Sequence, residues 1–181
     1  MRTRFFGLLL SAGLCLPVTV VTAQTRTNAA PPLDPVRAEA MRATCLQGRR
    51  MVCGRILAVE PAGMIVECGY SDLLREPLNK SWLVPGTATV ARNPSLVEAD
   101  RPDALVTGTI LLTDYPKSRT LKPKVYDYVN LHAYPAGEYF QTLPGGLKKP
   151  LRRFAGGIET AVRLQLTPPE PTSAPATKAG P

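Results

Sequence analysis

A single histidine, His132, and four cysteines are all the imidazole and thiol groups that the 181 residues can offer a metal. No two cysteines have the close spacing of a zinc ribbon or of a thiol–disulfide motif, so a metal site has few ligands to draw on and no cofactor is expected. A nucleophile elbow, a phosphate-cradling glycine loop and a zinc-protease helix motif are likewise missing. Any Ser–His or Cys–His arrangement has to use His132, and a hydrolase built on it is the weakest of the functional readings. Glu67, Asp72, Asp114 and Asp127 could pair as acid and base, yet no spacing brings two of them together. The chain is read as non-enzymatic.

Acids are also scarce. Fourteen Asp and Glu face 22 Lys and Arg, for a net charge of +8. Such a surplus favours anionic partners and speaks to association, not to fold. Long apolar runs are confined to the beginning. Residues 1–23 read as a secretory signal peptide: Arg2 and Arg4 form the positive region, Phe5 to Val21 is mostly apolar, and Val21-Thr22-Ala23 precedes a cut at Gln24. Its loss lowers the charge to +6, because two arginines and no acid go with it. No membrane span is expected after that cut, and the expected location is secreted or periplasmic. Three cysteines then remain, Cys45, Cys53 and Cys68, an odd number that leaves one bridge with a free thiol, no bridge, or an intermolecular link.

What is present is a set of short β-prone runs. Residues 24–33 read as a flexible leader. Asp34 and Pro35 then suit the start of a short helix that Gly48 ends, with Val36, Ala40, Ala43 and Cys45 or Leu46 near one face. Met51 to Val59 and Met64 to Tyr70 form a hairpin about Glu60-Pro61-Ala62-Gly63. With Glu60 opposite Gly63, an unbroken ladder sets Cys53 opposite Tyr70 and Arg55 opposite Cys68, so the two cysteines share a face as diagonal neighbours. That separation is long for a relaxed disulfide, and Cys45 bridging to one of them is at least as plausible.

Ser71 to Lys80 reads as a connection, Trp82 to Ala91 as a strand bent at Pro85-Gly86, Arg92 to Asp103 as a loop, and Ala104 to Thr113 as a strand. Val-x-Gly-x-Ile-Leu occurs at 52–57 and again at 106–111, and glycine within a β-branched run suits a tightly coiled strand. After the basic loop Asp114 to Lys124, the stretch Val125 to Phe140 alternates. Val125, Val129, Leu131 and Ala133 make an apolar side, and Tyr126, Tyr128, Asn130, His132 and Tyr134 a polar-aromatic one. A turn at Tyr134-Pro135-Ala136-Gly137 leads to a return strand, Glu138 to Leu143. Lys148 to Phe154 is extended and basic, and Glu159 to Leu166 is read as a last alternating strand. The tail 167–181 is expected to be disordered.

Short strands at regular spacing point to a mainly β fold, a small antiparallel barrel with one short N-terminal helix over residues 34–166. The order Gly-Arg-Ile-Leu-Ala-Val, turn, Met-Ile-Val-Glu-Cys, Val-Thr-Gly-Thr-Ile-Leu-Leu, then Tyr-Val-Asn-Leu-His-Ala-Tyr-Pro-Ala-Gly-Glu-Tyr resembles that of uncharacterised exported bacterial proteins with an OB-fold-like or SH3-like barrel, over about residues 49–166. A looser similarity is to barrels of the staphylococcal-nuclease type, whose acidic calcium-binding turn has no counterpart in Glu60-Pro61-Ala62-Gly63. The expected function is a binding or structural module of the cell envelope, with another envelope protein as one partner. The alternative is an OB-like binder of an anionic polymer, single-stranded nucleic acid or acidic polysaccharide. Its candidate site is Tyr126, Tyr128, Asn130, His132, Tyr134 and Tyr139, flanked by Lys122 and Lys124.

Overall fold

The computed structural model describes residues 34–117 and 121–167. The expected signal peptide and leader lie outside them, as does the expected tail beyond Thr167. Asp34 caps helix α1, Pro35–Gln47, by accepting a hydrogen bond from the Val36 amide, and Gly48 closes it. The expected apolar face of α1 is different in the structure. Val36 and Leu46 are exposed, while Cys45 is buried and Ala38 and Met41 pack beside it.

Strands β1, Arg50–Glu60, and β2, Gly63–Cys68, form the expected hairpin with Glu60 opposite Gly63. The register holds as far as Ala58 and Ile65, where Leu57 is extruded as a bulge, so that Ile56 meets Val66, Arg55 meets Glu67 and Gly54 meets Cys68. One extra residue reverses which side each later residue faces. Cys53 and Cys68 therefore do not share a face. Cys68 joins Val52 and Ile56, whereas Cys53 packs with Tyr70 and Leu73, and Cys45 lies with Ala136, Ala161 and Val162 in a third cluster. All three thiols are free and buried.

Two short 3₁₀ turns, Ser71–Leu74 and Leu78–Lys80, follow where only a connection was expected. The expected strand from Trp82 to Ala91 is reduced to β3, Leu83–Val84, because the chain bends at Pro85 and runs on irregularly to Asp103. The run from Ala104 to Thr113 divides into β4, Ala104–Leu105, and β5, Gly108–Thr113, broken where Gly108 takes a φ of 83°. Both glycines of the repeated Val-x-Gly-x-Ile-Leu pattern align with Cys68, Gly54 from β1 and Gly108 from β5.

The expected hairpin about Pro135-Ala136 is instead one long strand, β6, Tyr128–Thr142. Its register against β7, Lys148–Ala155, shifts between Pro135 and Glu138, so Pro135, Ala136 and Gly137 form a bulge and not a reversal. The reversal comes later, at Pro144-Gly145-Gly146, where both glycines have positive φ. The last expected strand is helix α2, Ile158–Leu166. Ala161, Val162 and Leu166 are its buried residues. That spacing of one, four and five residues is helical, and it is masked in a short run where Thr160, Val162, Leu164 and Leu166 also alternate.

The fold is mainly β, with the strands in one mixed sheet of order β3-β6-β7-β5-β2-β1-β4. It is only partly antiparallel, since β5 with β7 and β1 with β4 run parallel. Pairing of β6 with β1 as well as with β7 joins β1, β2, β5, β7 and β6 into a circuit. All five strands contribute to one cluster: Val52 and Ile56, Met64 and Val66, Ile110 and Leu112, Phe154, Val129 and Ala133. The helices pack on β6 and β7 through a second cluster around Ala136, Ala155 and Ala161.

Candidate functional site

The alternation of β6 is as the sequence suggested on its apolar side, where Val129 and Ala133 are fully buried. Val125 precedes the strand and is exposed. On the other side the rings do not form an open platform. Tyr128 and Asn130 are covered by the first 3₁₀ turn and by the segment after β3, and the Tyr128 ring meets Tyr70 edge-on at 5.3 Å. Tyr134 packs in the helix cluster. Tyr139 lies beyond the register shift, beside Ile65, Leu111 and Leu151, and donates its hydroxyl to Glu60 Oε2 at 3.1 Å. Tyr126 sits before β6 at a φ of 74°, 63% exposed, under the Arg55 guanidinium.

Asn130 is the buried polar residue of the circuit, and its hydrogen bonds are met. Its amide nitrogen donates to the carbonyls of Leu73 at 2.8 Å and Asn79 at 3.0 Å, and its oxygen accepts from the Cys53 thiol at 3.2 Å. Burial pushes the Cys53 thiol up to about 12, so it stays a neutral donor. Asn130 thus fastens both 3₁₀ turns to the sheet.

His132, half exposed, has its Nε2 3.4 Å from Asp103 Oδ1. Arg49 holds the same carboxylate with two bonds of 2.7 Å, and this keeps the Asp103 carboxyl below its ordinary range. None of the three cysteines belongs to this group; each lies in a separate buried cluster.

Lys122 belongs to a different region, where three adjoining recesses share Tyr115 and Lys117. One, of about 380 Å³, is walled by Val59, Tyr115, Lys117, Lys122 and Pro123. Another, of about 340 Å³, lies between the β1–β2 turn and α2 and is lined by Glu60, Asp114, Lys117, Thr160 and Arg163. Tyr115 forms the partition. Its ring stacks on Trp82 at 6.2 Å and 24°, and both pack against the enclosed cluster. Lys124 stands just outside, at a turn closed by its own amide donating to Asp127 Oδ2 at 2.9 Å.

The charges here are unevenly matched. Glu60 accepts hydrogen bonds from Tyr139 and Gln141, and the Asp114 carboxylate lies against Gly157 at the start of α2, the positive end of the helix. Among the described residues Lys117, Lys122, Lys124 and Arg163 take part in no ion pair. The arrangement can hold an anionic, partly apolar group. Among the described residues no three His, Cys, Asp or Glu side chains converge as a metal site would require.

Tyr115, Thr160 and Arg163 were not among the residues singled out from the sequence. Reading 158–166 as a helix puts Thr160 and Arg163 one turn apart on one side, which is the signal that would have found them. Comparison with family models, with curated proteins and with solved structures finds no match to this chain.

Proposed function

We propose that the chain is an exported, non-enzymatic binding module of the cell envelope, an OB-like barrel that holds an acidic polysaccharide at the recess around Tyr115. The five-strand circuit supports the OB-like reading, since barrels of that kind place ligands beside the loops joining their strands. The observation that carries the ligand class is the set of cations, Lys117, Lys122 and Arg163, along two adjoining recesses, against the two acids Glu60 and Asp114 in one of them. Tyr115 adds a ring edge against which a sugar can lie.

The test is fluorescence anisotropy of a labelled polyuronate and of labelled single-stranded DNA against residues 24–181 over a salt series. Binding of the polyuronate should fall with salt. The triple change Lys117→Ala, Lys122→Ala and Arg163→Ala should weaken it by at least roughly tenfold. Affinity indifferent to salt and to the triple change would overturn the assignment, and preference for DNA would move it to nucleic acid. Tyr126→Ala is the aromatic control, because Tyr128 is buried and its removal would disturb the fold.

A further inference from the structure

We propose that the tip of the β6–β7 hairpin is a docking surface for an anionic lipid bilayer. Beyond the bulge at Pro135–Gly137, Glu138 to Thr142 pairs with Lys148 to Arg152 and carries the hairpin to a closed tip. The tip is held in one shape, with the Leu143 amide donating to the Leu147 carbonyl at 2.7 Å and the Gly146 amide to the Leu143 carbonyl at 3.0 Å. On one side Tyr139 and Gln141 fasten the arm to Glu60 with bonds of 3.1 Å each.

The opposite side is bare. Phe140 is opposite Pro150 and Thr142 opposite Lys148, so these four share a face by strand alternation, and all four are exposed. Phe140 is 51% and Leu147 70% exposed. Two large apolar groups are left in water, Phe140 on the bare face of the arm and Leu147 in the turn at its end, and together they mark the tip as an interaction surface. The charge of the arm says which kind. From Tyr139 to Ala155 there is no carboxylate, and Lys148 and Lys149 join no ion pair among the described residues. A ring and a leucine that enter the acyl boundary, with ammonium groups beside them at the phosphates, fit an anionic bilayer surface. A dissolved polyanion would engage the lysines and leave Phe140 and Leu147 in water. No helix among the described residues is long and apolar enough to cross a membrane, and this attachment needs none.

The test is co-sedimentation of residues 24–181, which contain every described element, with vesicles of phosphatidylcholine alone and of equal parts phosphatidylcholine and phosphatidylglycerol. The expected result is binding to the mixed vesicles only, falling with salt. Lys148→Ala with Lys149→Ala should weaken it roughly fivefold for each lysine. Phe140→Ser with Leu147→Ser should weaken it roughly tenfold or more. All four side chains are exposed, so urea midpoints should not move. Binding equal on both vesicles, equal among the variants, or absent would overturn the proposal. So would self-association removed by Phe140→Ser and Leu147→Ser, which would give the face to a second copy. The recess variants Lys117→Ala and Lys122→Ala separate this surface from the polysaccharide site.

Discussion

At the scale of single residues, the polar groups of β6 serve the fold first. Asn130 joins Cys53, Leu73 and Asn79, and its removal leaves the buried Leu73 carbonyl without its donor and the buried Cys53 thiol without its acceptor. Asn130→Ala should cost about 3 kcal/mol, read as a lower urea midpoint with an unchanged slope. Asp103 contributes to the acid limb of stability. Its carboxyl is held down by the Arg49 hydrogen bonds, so its contribution is fully present above the ordinary carboxylate value of 3.8 and is lost as pH falls below it. The stability of Asp103→Asn should therefore change less between neutral pH and about pH 3 than that of the parent. Urea titrations at the two pH values would decide this, with parallel losses counting against the role of Asp103.

At the scale of elements, the bulge at Leu57 and the two aligned glycines decide how the sheet curls. A methyl group at Gly54 would stand 2.6 Å from the Glu67 carbonyl oxygen and press on the Val66 side chain. Gly54→Ala should destabilise the protein by about 2 kcal/mol or more, measured by thermal unfolding, whereas Gly108 has open space and is constrained by its φ alone. These elements also mark what the sequence made legible. Helix α1, the β1–β2 turn and strands β2, β5 and β7 followed from caps, turn residues and β-prone or extended composition. Their placement failed where one residue changes the count. Nothing local announces Leu57 as extruded, and Pro135-Ala136-Gly137 has turn chemistry that the pairing with β7 overrides. Helix α2 was ambiguous because nine residues satisfy both periods. Tyr128, Asn130, His132 and Tyr134 fall at alternate positions of β6 whereas Tyr126 precedes it, and alternation does not tell which segments will cover a strand side. The cationic recess was invisible for the same reason, since β1, the loop after β5, and α2 meet there only in three dimensions.

At the scale of the molecule, a strap from Pro85 to Asp103 crosses the outside of the circuit and is held by charge. Glu98 is its main fastening. The carboxylate lies 2.8 Å from Arg152 and 3.6 Å from Arg50 and accepts from the Thr107 amide, while Arg92 reaches Glu67 and Asp103 reaches Arg49. Glu98→Ala should lower stability by about 2 kcal/mol. It should also speed tryptic cleavage after Arg92, with the change in rate exceeding that at the exposed ends. Unchanged cleavage would mean that the strap is held by its backbone contacts alone, such as that from the Asn93 amide to the Gly69 carbonyl.

The position of β7 between β5 and β6 sets an order in time. A chain emerging from its N-terminus delivers β1, β2 and β5 while the far edge of β5 is still bare, and β6 can then pair with β1 but cannot shut the ring. Closure waits for residues 148–155, the last of the described strands, which must enter parallel to one neighbour and antiparallel to the other. Non-local pairing of this kind is slow to form. The nascent chain therefore keeps the facing edges of β5 and β6 open until residues 148–155 have been made, well after β1, β2 and β5 are in place.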